Sequence, residues 1–318
     1  MKYSDSFGKK SSKILLGTAY FGETISEEEA FAIMDAYYEM GGRHLDTARL
    51  YANGEAEKVV GKWLVSRKPD DIFVSTKGGY YEPDLGEKPR INEEDIRYDL
   101  EQSLSALGLK NIEFYWLHRD DENVPVSEII DLMNSLVKEG KIKQFGASNW
   151  RSERIGEANK YAKEKGFLGF SASQIRFNPA YCIGERGGLV GMDAHEFAFY
   201  RQNNMPVVAY SSQAKGFFSK MAEQGEDALS EKAKKRYLCE ENLRRLEIVK
   251  QIAGKHHCSV ASAVCGVLCS IPEVEVFPVI GGRNVLQITD SMGGADVTVS
   301  SEEIRELLEK SIYETKSK

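Results

Sequence analysis

The chain has 318 residues, 42% of them hydrophobic and 29% charged, and a formal net charge of -7. That composition excludes a disordered or fibrous chain, and the length suits either two average domains or one α/β barrel. The acidic balance argues against a general nucleic-acid binder, which needs basic patches to neutralise phosphates. The longest apolar runs, such as Ser259 to Ile271, fall well short of the ~20 residues that cross a bilayer. The opening MKYSDSFGKKSSK has no apolar stretch with a cleavage site, so the expected location is the cytoplasm, with no membrane attachment. Five cysteines, Cys182, Cys239, Cys258, Cys265 and Cys269, form no C-x-x-C and suggest no disulfide framework. His256 and His257 are adjacent, which on a helix points them about 100° apart, so no metal site is expected.

Along the chain, short β-rich runs alternate with longer amphipathic ones, without a Pro/Ser linker. The predicted strands are KILLGTA from Lys13, RHLDTA from Arg43, IFVSTKG from Ile72, IEFYWLHR from Ile112, IKQFGAS from Ile142, FSASQIRF from Phe170, PVVAYSS from Pro206 and VEVFPVIG from Val274. Between them, helices are predicted over Glu27 to Met40, Glu55 to Ser66, Glu93 to Leu107, Ser127 to Lys138, Ser152 to Lys165 and Asp193 to Asn203, with a pair across Glu241 to Ser270. Several begin with a capping residue and an acidic first turn, as in Ser26-Glu27-Glu28-Glu29 and Asn92-Glu93-Glu94-Asp95, which suits the positive end of the helix dipole. Eight alternating βα units predict a (β/α)8 barrel, one domain over residues 1–318, with a long loop at about 214–240 and a C-terminal helix at about 301–313.

In such a barrel, chemistry resides at the carboxyl ends of the strands. The reactive residues fall there: Asp46 on strand two, Lys77 on strand three, His118 on strand four, Ser148 and Asn149 on strand five, Gln174 and Asn178 on strand six, Tyr210 and Ser211 on strand seven. With Tyr51 just beyond Asp46, a phenol, an ammonium, a carboxylate and an imidazole share one mouth. A phenol of ordinary pKa near ~10 is a poor proton donor, and a neighbouring ammonium is expected to lower that value. Asp46 then orients Lys77, and His118 offers a hydrogen bond to a substrate oxygen. The set suits carbonyl reduction. Lys77 alone also suits a Schiff-base aldolase, a reading that leaves Asp46 and Tyr51 without a role.

These ordered motifs, LGTAYFG, DTARLY, STKGG, LHRDD, GASNW, SQIRFNP and VAYSSQAKG, resemble the aldo-keto reductase superfamily over nearly the full length. The resemblance implies a catalytic tetrad of Asp46, Tyr51, Lys77 and His118, with Tyr51 as general acid. It implies an NADP(H) site in which Ser148, Asn149 and Gln174 hold the carboxamide and Tyr210 stacks on the nicotinamide. Ser211, Ser212 and Gln213 then line the pyrophosphate, Gly281, Arg283, Gln287 and Asp290 hold the adenosine end, and Gly17 and Thr18 lie beside the cofactor. Asp290-Ser291 stands where many members carry Glu-Asn, and Phe177 where Tyr is frequent. No G-x-G-x-x-G follows the first strand, which counts against a Rossmann dehydrogenase. A cofactor-binding regulatory protein similar to the potassium-channel beta subunits keeps the same motifs and remains open.

The substrate is expected to meet the loops Tyr80 to Arg90, Arg119 to Pro125, Pro179 to Met192 and Lys215 to about Glu240. Tyr20, Phe21, Tyr80, Tyr81, Trp150, Tyr181, Phe217 and Phe218 are candidates for an aromatic cleft, and Asp120, Asp121, Glu122, Glu185 and Arg186 for charged partners. Such a wall suits a small, sugar-like carbonyl compound as readily as it suits packing. The run Glu231 to Arg236 reads as a solvated helical face. In GGRNVLQ, Arg283 offers a planar fork of donors at the strand-eight phosphate position, which predicts NADP(H) over NAD(H).

Overall fold

The protein is described by a computed structural model covering residues 2–81, 90–183 and 188–313. A two-stranded hairpin of β1 (Tyr3–Ser4) and β2 (Ser11–Ser12) precedes eight parallel strands: β3 (Leu15–Gly17), β4 (His44–Asp46), β5 (Phe73–Gly78), β6 (Ile112–Leu117), β7 (Ile142–Ser148), β8 (Ser173–Arg176), β9 (Val207–Tyr210) and β10 (Val276–Ile280). Each pairs with the next, and β10 pairs with β3, so the sheet closes on itself. The eight strands fall inside the eight predicted runs. The hairpin was not predicted, since strands of two residues show no periodicity.

Around the sheet lie α1 (Glu27–Glu39), α2 (Glu55–Arg67), α3 (Glu93–Leu107), α4 (Val126–Lys138), α5 (Ser152–Lys165), α6 (Ala194–Gln202), α7 (Phe217–Glu223), α8 (Glu231–Tyr237), α9 (Glu240–Lys255), α10 (Val260–Cys269), α11 (Val285–Met292) and α12 (Ser301–Leu308). The cap signals do what the sequence implies: Ser26 and Glu29 close a capping box on α1, and the Asn92 side chain accepts from the Asp95 N–H on α3. The long segment after β9 is not open loop, because α7 and α8 fold within it. The last helix ends at Leu308 and widens into a π-helical turn over Glu309–Tyr313, where Tyr313 meets the Phe197 ring edge-on at 5.7 Å.

Two apolar cores result. The larger fills the layer between strands and helices. The smaller lies inside the barrel and contains Leu15, Phe73, Phe114, Trp116, Ala172, Val208 and Phe277, closed at the amino ends of the strands by Phe7 from the hairpin. The Phe7 ring packs 4.8 Å from Phe277 and 5.3 Å from Phe114 and His44. With one end plugged by aromatic side chains, a substrate can enter only from the other. Among the described residues no helix is long and apolar enough to cross a membrane.

Candidate active site

The register of the parallel sheet brings the first three groups together. Asp46 is paired with Ser75, and Lys77 lies two residues further on, so alternation points Ser75 and Lys77 to the same interior face. Lys77 Nζ donates to Asp46 Oδ2 and to the Thr47 carbonyl, both at 2.7 Å, and the ion pair is almost wholly buried. The second carboxylate oxygen, Oδ1, accepts from Ser75 Oγ and Gln174 Nε2, both at 3.0 Å. A buried carboxylate needs such donors to replace water.

Tyr51 opens the short 3-10 turn Tyr51–Gly54 after β4, where Ala52 and Asn53 both take positive φ. Its ring meets His118 edge-on at 5.8 Å, and Lys77 Nζ lies 4.8 Å from its centroid. His118 follows β6, its backbone N–H on the Gly78 carbonyl at 2.8 Å, with the Tyr80 ring 4.7 Å away. The four predicted residues therefore converge at the carboxyl end of the barrel.

Their protonation follows from burial set against charge. For Lys77, burial opposes the charge, but Asp46 and Tyr51 outweigh it and hold the ammonium above the ordinary lysine value. For Tyr51, burial raises the pKa and exceeds the lowering by Lys77, so the phenol stands above its ordinary value. This reverses the expected direction: Lys77 acts on Tyr51 as anticipated, but desolvation is larger. Burial, then the charges of Lys77 and Arg119, push His118 well below the usual histidine range, which leaves a neutral imidazole.

The candidate cofactor residues divide. Asn149 sits at the end of β7 with φ +60°, a left-handed conformation that asparagine tolerates, and its Oδ1 accepts from Tyr210 Oη at 2.6 Å. Its Nδ2 donates to Ser148 Oγ at 3.2 Å. Thr18 is buried, with its N–H on the Asp46 carbonyl, and a Cβ on Gly17 would stand 2.8 Å from Val279 Cγ1. Ser211 and Ser212 border the site, Ser212 Oγ donating to the Val279 carbonyl at 2.6 Å. Gln213 instead turns inward, donating to Ser291 Oγ at 2.8 Å and Cys265 Sγ at 3.3 Å, so its side chain ties the loop to α11 and α10.

At the far end, Asn284 caps α11, and Gln287 Oε1 reaches back to the Arg283 N–H at 2.8 Å. Arg283 is exposed, and among the described residues its guanidinium has no partner. A Cβ on Gly281 would meet open space. Asp290 is exposed, its carbonyl taken by Ser262 Oγ.

Two further features lie beyond the sequence reading. Asp99 on α3 accepts from the Gly79 N–H at 2.9 Å, from Arg90 at 3.0 Å and from Arg49 Nε at 3.2 Å, clamping both stems of the loop after β5 to the loop after β4. Lys215 is pushed below the ordinary lysine value by burial and then by Arg236, Lys232 and Arg176. The run Glu231 to Arg236 does form α8, but two of its cations bear on Lys215 at the loop after β9. Their i,i+4 spacing was the available signal; the facing Lys215 was not.

The proposed aromatic cleft is narrower than expected. Phe21, Trp150, Phe217 and Phe218 are core residues, while the Tyr80 ring lies beside His118 and meets the tilted Tyr81 ring at 4.2 Å. Asp120 is engaged by Arg154 at 2.8 Å. Glu185, Arg186 and residues 82–89 lie outside the described residues.

A closed parallel barrel with an Asp-Lys-Tyr-His cluster at its carboxyl end defines the class, a barrel oxidoreductase. The profile of the Aldo/keto reductase family matches residues 13–312, and the chain belongs to that family. It is 30% identical over 315 residues to the uncharacterized oxidoreductase YrpG of Bacillus subtilis, covering 94% of this chain and 92% of that one. It is 29% identical to norsolorinic acid reductase B of Dothistroma septosporum, covering 93% and 77%. It is 26% identical to the putative aryl-alcohol dehydrogenase AAD14 of Saccharomyces cerevisiae, covering 96% and 84%.

Proposed function

We propose that the protein reduces aldehydes or ketones to alcohols with NADP(H), with Tyr51 as general acid. The observation that carries this reading is the buried Lys77 ammonium held between Asp46 and Tyr51, beside a neutral His118. The residues at the mouth suit a dinucleotide: a crowd of cations around Lys215 calls for an anion, and the guanidinium of Arg283 has no partner among the described residues at the adenosine end. Ser148, Asn149, Gln174 and Tyr210 would hold the nicotinamide, Ser211, Ser212 and Lys215 the pyrophosphate, and Gly281, Arg283, Gln287 and Asp290 the adenosine end. When bound, the cofactor supplies a hydride to the carbonyl carbon.

The chain's own residues handle the proton. A phenol held above its ordinary pKa is fully protonated at neutral pH, so Tyr51 is loaded with the proton that the carbonyl oxygen must receive. As that proton leaves, negative charge grows on the phenol oxygen beside Lys77, where the ammonium stabilises it in a water-poor site. Neutral His118 donates a hydrogen bond to the substrate oxygen and does not compete as an acid.

A Schiff-base role for Lys77 is disfavoured, because amine nucleophiles need a lowered pKa and Lys77 is held above its ordinary value. For the substrate, the Tyr80 ring beside His118 and its tilted neighbour Tyr81, together with the name of the yeast relative, favour an aromatic carbonyl over the sugar-like one. The test is NADPH oxidation with a panel of aromatic aldehydes and ketoses, comparing the protein with Tyr51→Phe. A loss of about 10²-fold or more in kcat, with cofactor binding by fluorescence retained, is expected; undiminished turnover removes Tyr51 from the acid role.

A further inference from the structure

Beneath the tetrad a line of polar side chains runs through the barrel interior. Ser11 Oγ lies 2.8 Å from His44 Nδ1, His44 Nε2 lies 2.9 Å from Ser75 Oγ, and Ser75 Oγ lies 3.0 Å from Asp46 Oδ1. Ser11, His44 and Ser75 have no exposed surface. The direction of the line is fixed by proton counting. The Asp46 carboxylate has no hydrogen to give, so the single Ser75 hydrogen points at it, and Ser75 offers His44 only a lone pair. His44 Nε2 must then carry a hydrogen.

Burial and the nearby Lys77 hold His44 neutral, so its Nδ1 is bare and accepts from Ser11. The ring is also packed from behind, 4.3 Å from Phe73 and 5.3 Å from Phe7, and the main chain that carries it is held by the Tyr37 hydroxyl, which accepts from the His44 backbone N–H and lies 2.9 Å from the His44 carbonyl oxygen.

We infer that His44 is a positioning residue for catalysis: through Ser75 it delivers a fixed hydrogen bond to Asp46, and so sets how much of the Asp46 charge reaches Lys77 and Tyr51. Both ring nitrogens are hydrogen-bonded, so the imidazole serves through its polar atoms as well as through its packing on Phe7 and Phe73. The groups that face Tyr51 are Asp46 from β4, Lys77 from β5, Tyr80 after β5, His118 after β6 and Tyr210 from β9. Asp46 raises the Tyr51 pKa and Lys77 lowers it. Ser75→Ala withdraws a donor from Asp46, and loss of the His44 N–H leaves the Ser75 hydroxyl free to turn away from it; either change concentrates charge on Asp46 and moves Tyr51 upward.

The inference rests on Tyr51 being the acid for its kinetic arm only. In the ligand-free protein, ¹⁵N NMR of His44 is expected to show a neutral ring protonated at Nε2; a ring protonated at Nδ1, or at both nitrogens, overturns the inference whatever the activity. In the holoenzyme, His44→Phe and Ser75→Ala should each lower kcat/KM about tenfold, the rate equivalent of roughly one charge-assisted hydrogen bond. The double variant should lose no more than either single one. His44→Gln, whose amide can donate to Ser75 and accept from Ser11, should recover most of the activity.

The Tyr51 limb of the pH profile for alcohol oxidation should move up by about half a pH unit in His44→Phe and Ser75→Ala but not in His44→Gln. If His44→Phe fails to fold, Ser75→Ala and His44→Gln carry the comparison. Lost activity with an unmoved limb makes the role merely structural and overturns the inference. If Tyr51→Phe itself keeps full turnover, the functional reading fails instead, while the NMR result stands.

Discussion

Glu57 sits on α2 behind β5, 1% exposed, where its carboxyl accepts from Thr76 Oγ1. Burial raises its pKa from 4.5 to about 7, against the opposing effects of Thr76, Arg49 and Lys77. Between those two values the folded protein holds a proton that the unfolded chain has released, so stability must fall as pH rises. The contribution is fully present below about pH 4.5 and is lost as pH passes through about 7. A gap of roughly 2.5 units at 1.36 kcal/mol each amounts to about 3 kcal/mol. Glu57→Gln keeps an acceptor for Thr76 and cannot ionise. Urea unfolding of both proteins at half-unit steps from pH 4.5 to 8.5 should show the variant gaining about 3 kcal/mol on the parent as pH rises, then holding that lead. Ionisations common to both proteins cancel in the difference. A stability difference that stays constant across the whole range would refute the argument.

Arg283→Ala should weaken NADPH binding roughly 10- to 100-fold, one charge-assisted contact, and leave NADH affinity nearly unchanged; fluorescence titration with both cofactors checks it, and unaltered NADPH affinity would exclude Arg283 from the phosphate site. Gly61→Ala, a change that ordinarily favours a helix, should instead destabilise by about 2 kcal/mol, because its Cβ would lie 2.2 Å from the Ala106 carbonyl and 3.0 Å from the Leu107 Cα, both backbone atoms of α3. Thermal unfolding decides the sign. Asn92→Ala removes the cap on the Asp95 N–H and should cost about 1 kcal/mol by urea titration, whereas an unchanged midpoint would mean that water replaces the cap fully.

Much of the barrel was legible because each strand is a short β-rich run set off from a longer amphipathic one, and α1 and α3 carry their own side-chain caps. The convergence of Asp46, Lys77 and His118 at one end of the barrel was legible because each lies near the end of one of these runs. What escaped the sequence was set by distance and burial. Asp99 meets Gly79, Arg90 and Arg49 only after α3 packs on the sheet, and Lys215 meets Lys232 and Arg236 only after α8 folds back. The direction of the Tyr51 shift turned on how deeply the phenol is buried, a quantity that neighbouring residue types do not report. Phe21, Trp150, Phe217 and Phe218 looked the same in sequence as Tyr80 and Tyr81, yet they serve packing.

The closure of the sheet also has a kinetic meaning. Leu15 pairs with Val279, 264 positions further along the chain, while every other strand pairs with its successor in sequence. At synthesis rates of roughly 5–20 residues per second, β3 therefore emerges about 13 to 53 s before the strand that completes its second edge. For that interval its backbone donors on one side stand unpaired, a liability for association between nascent chains. Of the strand pairings in the barrel, this closing one carries the largest loop-closure entropy and so forms late. A chain interrupted before Val276 lacks one strand in eight, and it also exposes two edges that the finished protein never shows.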